Sequence, residues 1–218
     1  MSCVTRQKVH DESLRASLID EASRVIARHG RDSLNLRRVA KATGTSTTAI
    51  YSLFGSKDDL ITAVNVAAFE SFEASQRAIP VTDDPFSDLC NLGRAYREWA
   101  LSHPHFYAGM FRAGVHDLTD PSVSAMAPLM DSITRCVEVG LMEGHLATVS
   151  ALFWSCVHGF VTLELEGQLK FFPDPTAAYE RLLLAHAAGW VVEGHNPGVP
   201  DGEWLRKVAI RVADNSVA

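Results

Sequence analysis

The stretch NLRRVAKATGTSTTAIYSLFGSKDDL, residues 35–60, decides how the rest of the chain is read. Asn35 is a capping residue ahead of an apolar face of Leu36, Val39 and Ala40, and Gly44 stops that face. Four hydroxyl residues follow, Thr45, Ser46, Thr47 and Thr48, and then Ile50 and Phe54 one turn apart. The pattern predicts two short helices, about 35–43 and 46–54, joined by a turn at Gly44, where positive φ is comfortable. Ala40 is small where the helices cross, and Ile50 with Phe54 anchors the second helix on the first. The outward face is then Ser46, Thr47, Thr48 and Tyr51.

Small hydroxyls are poor helix formers and bury little apolar area, so they suit a surface that must be approached closely. A helix-turn-helix enters the DNA major groove by the N-terminal end of its second helix. There hydroxyls exchange hydrogen bonds with base edges, and a Thr methyl meets a thymine methyl. The exposed N–H groups of the helix start favour phosphate. Tyr51 and Lys57 have the reach to hold flanking phosphates, and Arg37 reaches a guanine edge or a phosphate. Charge supports this placement: the chain carries -6 overall, yet residues 1–60 hold 10 Lys and Arg against 7 Asp and Glu. A basic head on an acidic body fits contact with a polyanion at one end.

Outward from this motif the helix signals continue. Leu14, Leu18, Ala22, Val25 and Ile26 share one face ahead of Gly30, and Ser56 with Asp59 opens a helix at Lys57 with a capping-box-like start. That helix is expected to couple the reader mechanically to the body. Asp84-Pro85, Asp120-Pro121 and Asp174-Pro175 each place a capping acid before a proline suited to a first helical turn, and His103-Pro104 marks another restart. No alternating β-branched run or Asn-Gly hairpin turn is present. The expectation is an all-α chain of about nine helices: a three-helix DNA-binding domain over 10–56, a larger helical body over 57–193, and a loop and tail over 194–218.

With 47% hydrophobic residues the chain can bury a sizeable core. Its polar opening lacks a leader pattern, and the charge-free run Ala147 to Leu163 is short for a membrane span, so a soluble, cytoplasmic protein without a membrane partner is expected. Cys3, Cys90, Cys136 and Cys156 have no CxxC spacing and read as free thiols. The histidines lack a ligand pattern: His103 and His105 are two apart, and His116, His145, His158 and His186 are scattered, so neither metal nor cofactor is expected.

The segment of residues 14–65 resembles the DNA-binding region of TetR-type transcriptional regulators. The resemblance is carried by Gly30, Asn35, Val39-Ala40, Gly44, Ser46, Ile50-Tyr51, Phe54 and Ser56-Lys57-Asp58-Asp59-Leu60. Thr45 departs from an apolar preference, and Leu53 stands where an aromatic or His is common. The resemblance implies a homodimer on a roughly palindromic operator of double-stranded DNA. It also implies a small hydrophobic or amphipathic effector that binds in the body and releases the DNA, most simply as a repressor. Asn35, Arg37, Ser46, Thr47, Thr48, Tyr51 and Lys57 are the expected DNA-binding residues.

The body segments REWALSHPHFYAGMF and WSCVHGFVTLELEG, with Trp154, His158 and Gly159, resemble one subgroup's C-terminal domain. The helix over 147–169, apolar on nearly all sides in its first half, and the helix from Asp174 are expected to form a dimer face. Phe69, Phe72, Trp99, Phe106, Met110, Phe111, Met126, Met130, Phe153, Trp154 and His158 are candidates for an effector cavity; plain core packing explains each singly. Two other classes compete. One is a helical enzyme using His158 with Glu164 or Glu166, which lacks a nucleophile turn, a phosphate loop or paired carboxylates. The other is an architectural DNA binder without an effector.

Overall fold

The structure is a computed structural model of the chain, and it describes residues 3–111 and 121–192. The expected loop and tail over 194–218, together with His116 and the capping Asp120, lie outside the described residues. The described residues form α1 (Cys3–His29), a 3-10 turn (Arg31–Ser33), α2 (Leu36–Ala42), α3 (Thr47–Phe54), α4 (Lys57–Arg77), α5 (Pro85–Ser102), α6 (Pro104–Met110), α7 (Pro121–Ser124), α8 (Ala127–Glu138), α9 (Leu146–Leu165) and α10 (Pro175–Ala188). Among them the one trace of β pairing is an isolated bridge between Met142 and Val191. The fold is all-α.

Capping chemistry sets many of the boundaries. Asp84 accepts from the Ser87 N–H at 3.0 Å and Asp174 from the Ala177 N–H at 2.9 Å, and each precedes the proline that opens its helix. α6 begins at Pro104, as His103-Pro104 predicts. Ser56 caps α4 through the Asp59 N–H at 3.0 Å, and its hydroxyl donates back to the Asp59 carboxylate at 2.6 Å. The return bond thus runs between side chains instead of reaching the Ser56 N–H, as it does in a capping box.

Two compact units are present, Met1–Ser75 with Trp99–Ala125, and Gln76–Glu98 with Met126–Ala218. In the first, Leu18, Ala22 and Ile26 of α1 bury against Val39 and Ala40 of α2, Ile50 of α3, and Leu60, Ile61 and Val64 of α4. α6 packs on α1, with Phe106 against this core.

In the second unit, Phe86, Leu89 and Cys90 of α5 meet Ile133 and Cys136 of α8, Val149 and Phe153 of α9, and Ala187 of α10. α10 approaches α5 at Gly93, where an added Cβ would lie 2.5 Å from a Leu183 methyl; the Tyr179 hydroxyl donates to the Gly93 carbonyl at 2.6 Å. Arg97 of α5 grips Glu164 of α9 through two bonds of 2.7 and 2.6 Å and reaches Thr176 at 3.1 Å. Asp88 is buried; burial pushes its carboxyl up, but the Thr82 N–H and hydroxyl and the Arg135 guanidinium outweigh this and hold it below its ordinary value. Burial raises the thiols of Cys90 and Cys136 to about 11, so both are inert apolar fillers at neutral pH.

Helix α9 departs from the sequence reading at both ends. It stops at Leu165, short of residue 169, because Gly167 at φ +72° ends it. It starts at Leu146, and its 20 residues are long and apolar enough to cross a membrane by length and composition, contrary to the length argument from Ala147 to Leu163. Ala147, Thr148, Ala151, Leu152, Ser155, Gly159 and Leu163 are exposed along it.

Burial pushes the imidazoles of His158 and His186 down, favouring their neutral forms in the folded state. The unfolded chain therefore binds more protons as pH falls through the ordinary histidine range, and the fold loses stability there. The urea midpoint is expected to be lower at pH 5.5 than at pH 7.5. His186→Leu should shrink that difference, which a denaturation series at both pH values measures. Asp88 acts in the same sense, but its contribution is lost only as pH falls below its ordinary value of 3.8, outside this window.

Candidate nucleic-acid interface

The candidate reader is built from three short elements of the first unit. Asn35 begins it: its side-chain oxygen accepts from the N–H groups of Arg37 at 3.0 Å and Arg38 at 3.3 Å, starting α2. Val39 and Ala40 are buried, leaving Arg37, Arg38 and Lys41 on the solvent side. α2 then ends on Gly44 at φ +68°, with the Thr45 N–H donating to the Ala40 carbonyl at 2.9 Å. That is the long bond of a Schellman ending, and it turns the chain sharply into the next helix.

Ser46 caps α3 by accepting from the Ala49 N–H at 3.1 Å. Ile50, fully buried, fixes the helix on the α1–α2 core, with Leu53 and Phe54 packed partly behind it. The guanidinium of Arg15 lies over the Phe54 ring, 5.2 Å from its centroid. These anchors determine the outward face: Ser46 and Thr48 are exposed, Thr47 is half-buried, and Tyr51 is 53% exposed despite its size. Gly55 at φ +88° closes α3, its N–H donating to the Tyr51 carbonyl at 2.9 Å.

Two of the expected contact residues also have structural work. The Asn35 oxygen is engaged as a cap, leaving its amide NH2 outward. Lys57 is half-buried and donates to the Asp32 carbonyl at 3.2 Å, a contact across 25 residues that tethers the start of α4 to the 3-10 turn. An ammonium has three donors, so this bond leaves capacity for a phosphate. Sequence reasoning missed the 3-10 turn itself, whose short RDS run carries no periodic signal.

The residues expected to line an effector cavity fall into both units. In the first, Phe72 meets Trp99 edge-on at 5.2 Å, Trp99 stacks on His103 at 5.0 Å, and His103 lies 6.3 Å from Phe106. Phe69 meets Phe111 at 6.5 Å, and Met110 is buried. The Trp99 indole donates to Ser71 at 3.1 Å. In the second unit Phe153 is buried edge-on to His186 at 4.5 Å, Trp154 lies 5.6 Å from His158, Met126 is half-buried and Met130 is exposed. His158 shares a 3.0 Å hydrogen bond with the Tyr96 hydroxyl, and Glu164, its supposed enzymatic partner, is committed to Arg97. Among the described residues no group of three His, Cys, Asp or Glu side chains is placed to hold a metal.

Comparison with known proteins supplies the family. Residues 18–64 match the model of bacterial regulatory proteins of the tetR family, and residues 89–186 match a tetracyclin repressor-like C-terminal domain. An HTH-type transcriptional regulator of Mycobacterium tuberculosis, Rv0681, is 28% identical over 180 residues, 80% of each chain. The crystal structure of regulatory protein SCO4313 is 28% identical with a TM-score of 0.63, covering 82% of this chain and 97% of that one. A TetR family transcription regulator from Marinobacter aquaeolei VT8 shares the fold with a TM-score of 0.71 at 16% identity, over 84% of this chain and 98% of that one. With a capped reader helix and a C-terminal segment that matches the same family, this chain is a DNA-binding helix-turn-helix transcriptional regulator of the TetR family.

Proposed function

We propose that the protein works as a homodimer that represses transcription from a palindromic operator and leaves it when a small amphipathic effector binds the body. The observation that carries the reading is the outward face of α3. A buried Ile50 turns Ser46, Thr48 and the large Tyr51 to solvent, at a helix start with free N–H groups. In the motif this face lies in the major groove, with Thr47 and Thr48 at base edges and Tyr51, Lys57 and Arg37 at the rails.

Dimerisation is supported by α9. It has no Asp, Glu, Lys or Arg from Leu146 to Leu163, yet one side of it is left exposed by its own chain. Ala151, Leu152, Ser155, Gly159 and Leu163 are exposed along it, beside Ala178, Arg181 and Ala185 of α10. Two such hairpins pack into four helices across a two-fold axis and bury the apolar face. The effector reading is supported by the family and by the Tyr96–His158 pair, a polar point beside the Trp154 ring. A metabolite that binds there raises the melting temperature with the logarithm of its concentration above Kd and lowers operator affinity.

Selection of bound duplexes from a random pool tests the reading. An inverted repeat with half-sites about ten base pairs apart, or a multiple of that, is the expected product. A single unrepeated half-site contradicts it. Tyr51→Ala and Lys57→Ala are each expected to weaken binding about tenfold, for the selected site and for unrelated duplex alike. Lys57→Ala should also lower the steepness of the salt dependence by about one counterion, measured by anisotropy titrations at several salt concentrations.

A further inference from the structure

Two phenyl rings stand in solvent at the tip of the α9–α10 hairpin: Phe171 is 96% exposed and Phe172 60%. The backbone that presents them is tied at both ends. At the end of α9 the Gln168 N–H donates to the Leu163 carbonyl at 2.9 Å and the Gly167 N–H to the Glu164 carbonyl at 3.0 Å, the paired bonds of a Schellman ending. The Phe172 N–H then donates to the Leu169 carbonyl at 3.1 Å, and Asp174 caps α10. The rings are therefore held out on a hydrogen-bonded turn.

Exposed aromatics of this size mark a surface that is covered in use. Three observations select a second copy of this chain as the cover. The first is continuity. Leu152 and Leu163 are 44% and 46% exposed, and eleven residues at 3.6 per turn bring them to nearly the same side of α9. The Leu163 carbonyl also accepts the hydrogen bond that closes the helix into the tip, so the turn bearing the two rings starts from the end of this stripe.

The second is area. A stable dimer buries about 800 Å² per partner, and the stripe between the two leucines is made of Ser155, Cys156 and Gly159, which offer little side-chain surface. Two phenyl rings add about 300 Å² on each side. The third is charge. Glu166, Lys170 and Asp174 flank the rings, one cation against two anions, which gives no attraction to an anionic lipid surface.

We propose that the Phe171–Phe172 turn is a clasp that docks on the body of a second copy. By two-fold symmetry each copy gives one clasp and receives one. The inference rests on the dimer reading above and adds to it a contact outside the α9 stripe.

Three full-length proteins test it together: the parent chain, Gly159→Arg, and the double variant Phe171→Ser/Phe172→Ser. A fourth carries the photo-crosslinker p-benzoylphenylalanine in place of Phe171. The double serine variant keeps the parent's circular dichroism, because both rings lie outside the core. Its dimer dissociation constant by analytical ultracentrifugation is expected to rise about hundredfold. The photo-crosslinker is expected to yield a covalent dimer on illumination. If the parent is a dimer that Gly159→Arg dissociates, while the double serine variant associates as the parent does and no covalent dimer forms, the clasp is wrong and the dimer reading stands. If the parent is itself monomeric at micromolar concentration, the dimer reading fails and takes the clasp with it. Flotation of the parent with phosphatidylglycerol vesicles, lost in the double serine variant, overturns the choice of occupant.

Discussion

A Gly159→Arg protein is expected to fold, to sediment as a monomer, and to bind a palindromic duplex about a thousandfold more weakly than the parent chain, because two linked half-site contacts become one. The folded chain has room for the change, since a Cβ added at Gly159 meets no atom within 4 Å. Gly159 is interior to α9, where any straight side chain is a better helix former by up to about 1 kcal/mol. The same position lies on the uncovered apolar face, between Leu152 and Leu163. An arginine there would bury an unpaired charge twice in a symmetric contact, which association cannot offset. Sedimentation and anisotropy titrations on one preparation check both halves of the expectation. A dimer with unaltered operator affinity would place the interface elsewhere.

Thr48→Asp separates stability from DNA binding in the same way in the reader. Thr48 is exposed in the first turn of α3, where an acidic side chain meets the positive end of the helix dipole. The substitution is expected to leave the melting temperature unchanged or slightly higher, by about 0.3–1 kcal/mol of stability. In the groove, however, the new carboxylate faces phosphates and base acceptors. Operator affinity is expected to fall about a hundredfold at low salt, from a lost base contact and added charge repulsion, with the deficit shrinking as salt rises. Thermal unfolding and titrations at two salt concentrations measure it.

The reader was legible in the sequence because its determinants are local. Asn35, Gly44, Ser46 and Ser56 each act within three or four residues of themselves, and Ile50 declares the buried side of α3 by its spacing from Phe54. The Asp-Pro starts of α5 and α10 were readable for the same reason. What the sequence concealed depends on distant partners. The Lys57 bond to Asp32 spans 25 residues, and the Arg97 pairing with Glu164 spans 67. The segment from Pro121 to Glu138 forms two helices with no break signalled by Gly. The aromatics expected around one cavity have the right apolarity, but composition does not reveal which unit each ring joins. Phe72 and Trp99 pack in one unit, and Phe153 and Trp154 belong to the other.

The central claim is that the hydroxyl face of α3 touches base pairs. The measurement that reaches it most directly is a comparison of parent and Thr48→Ala binding to the selected operator with every base pair varied in turn. The account predicts that the variant loses discrimination at one or two positions in each half-site, placed symmetrically about the dyad, and keeps the parent's profile elsewhere. Identical profiles for the two proteins would contradict it.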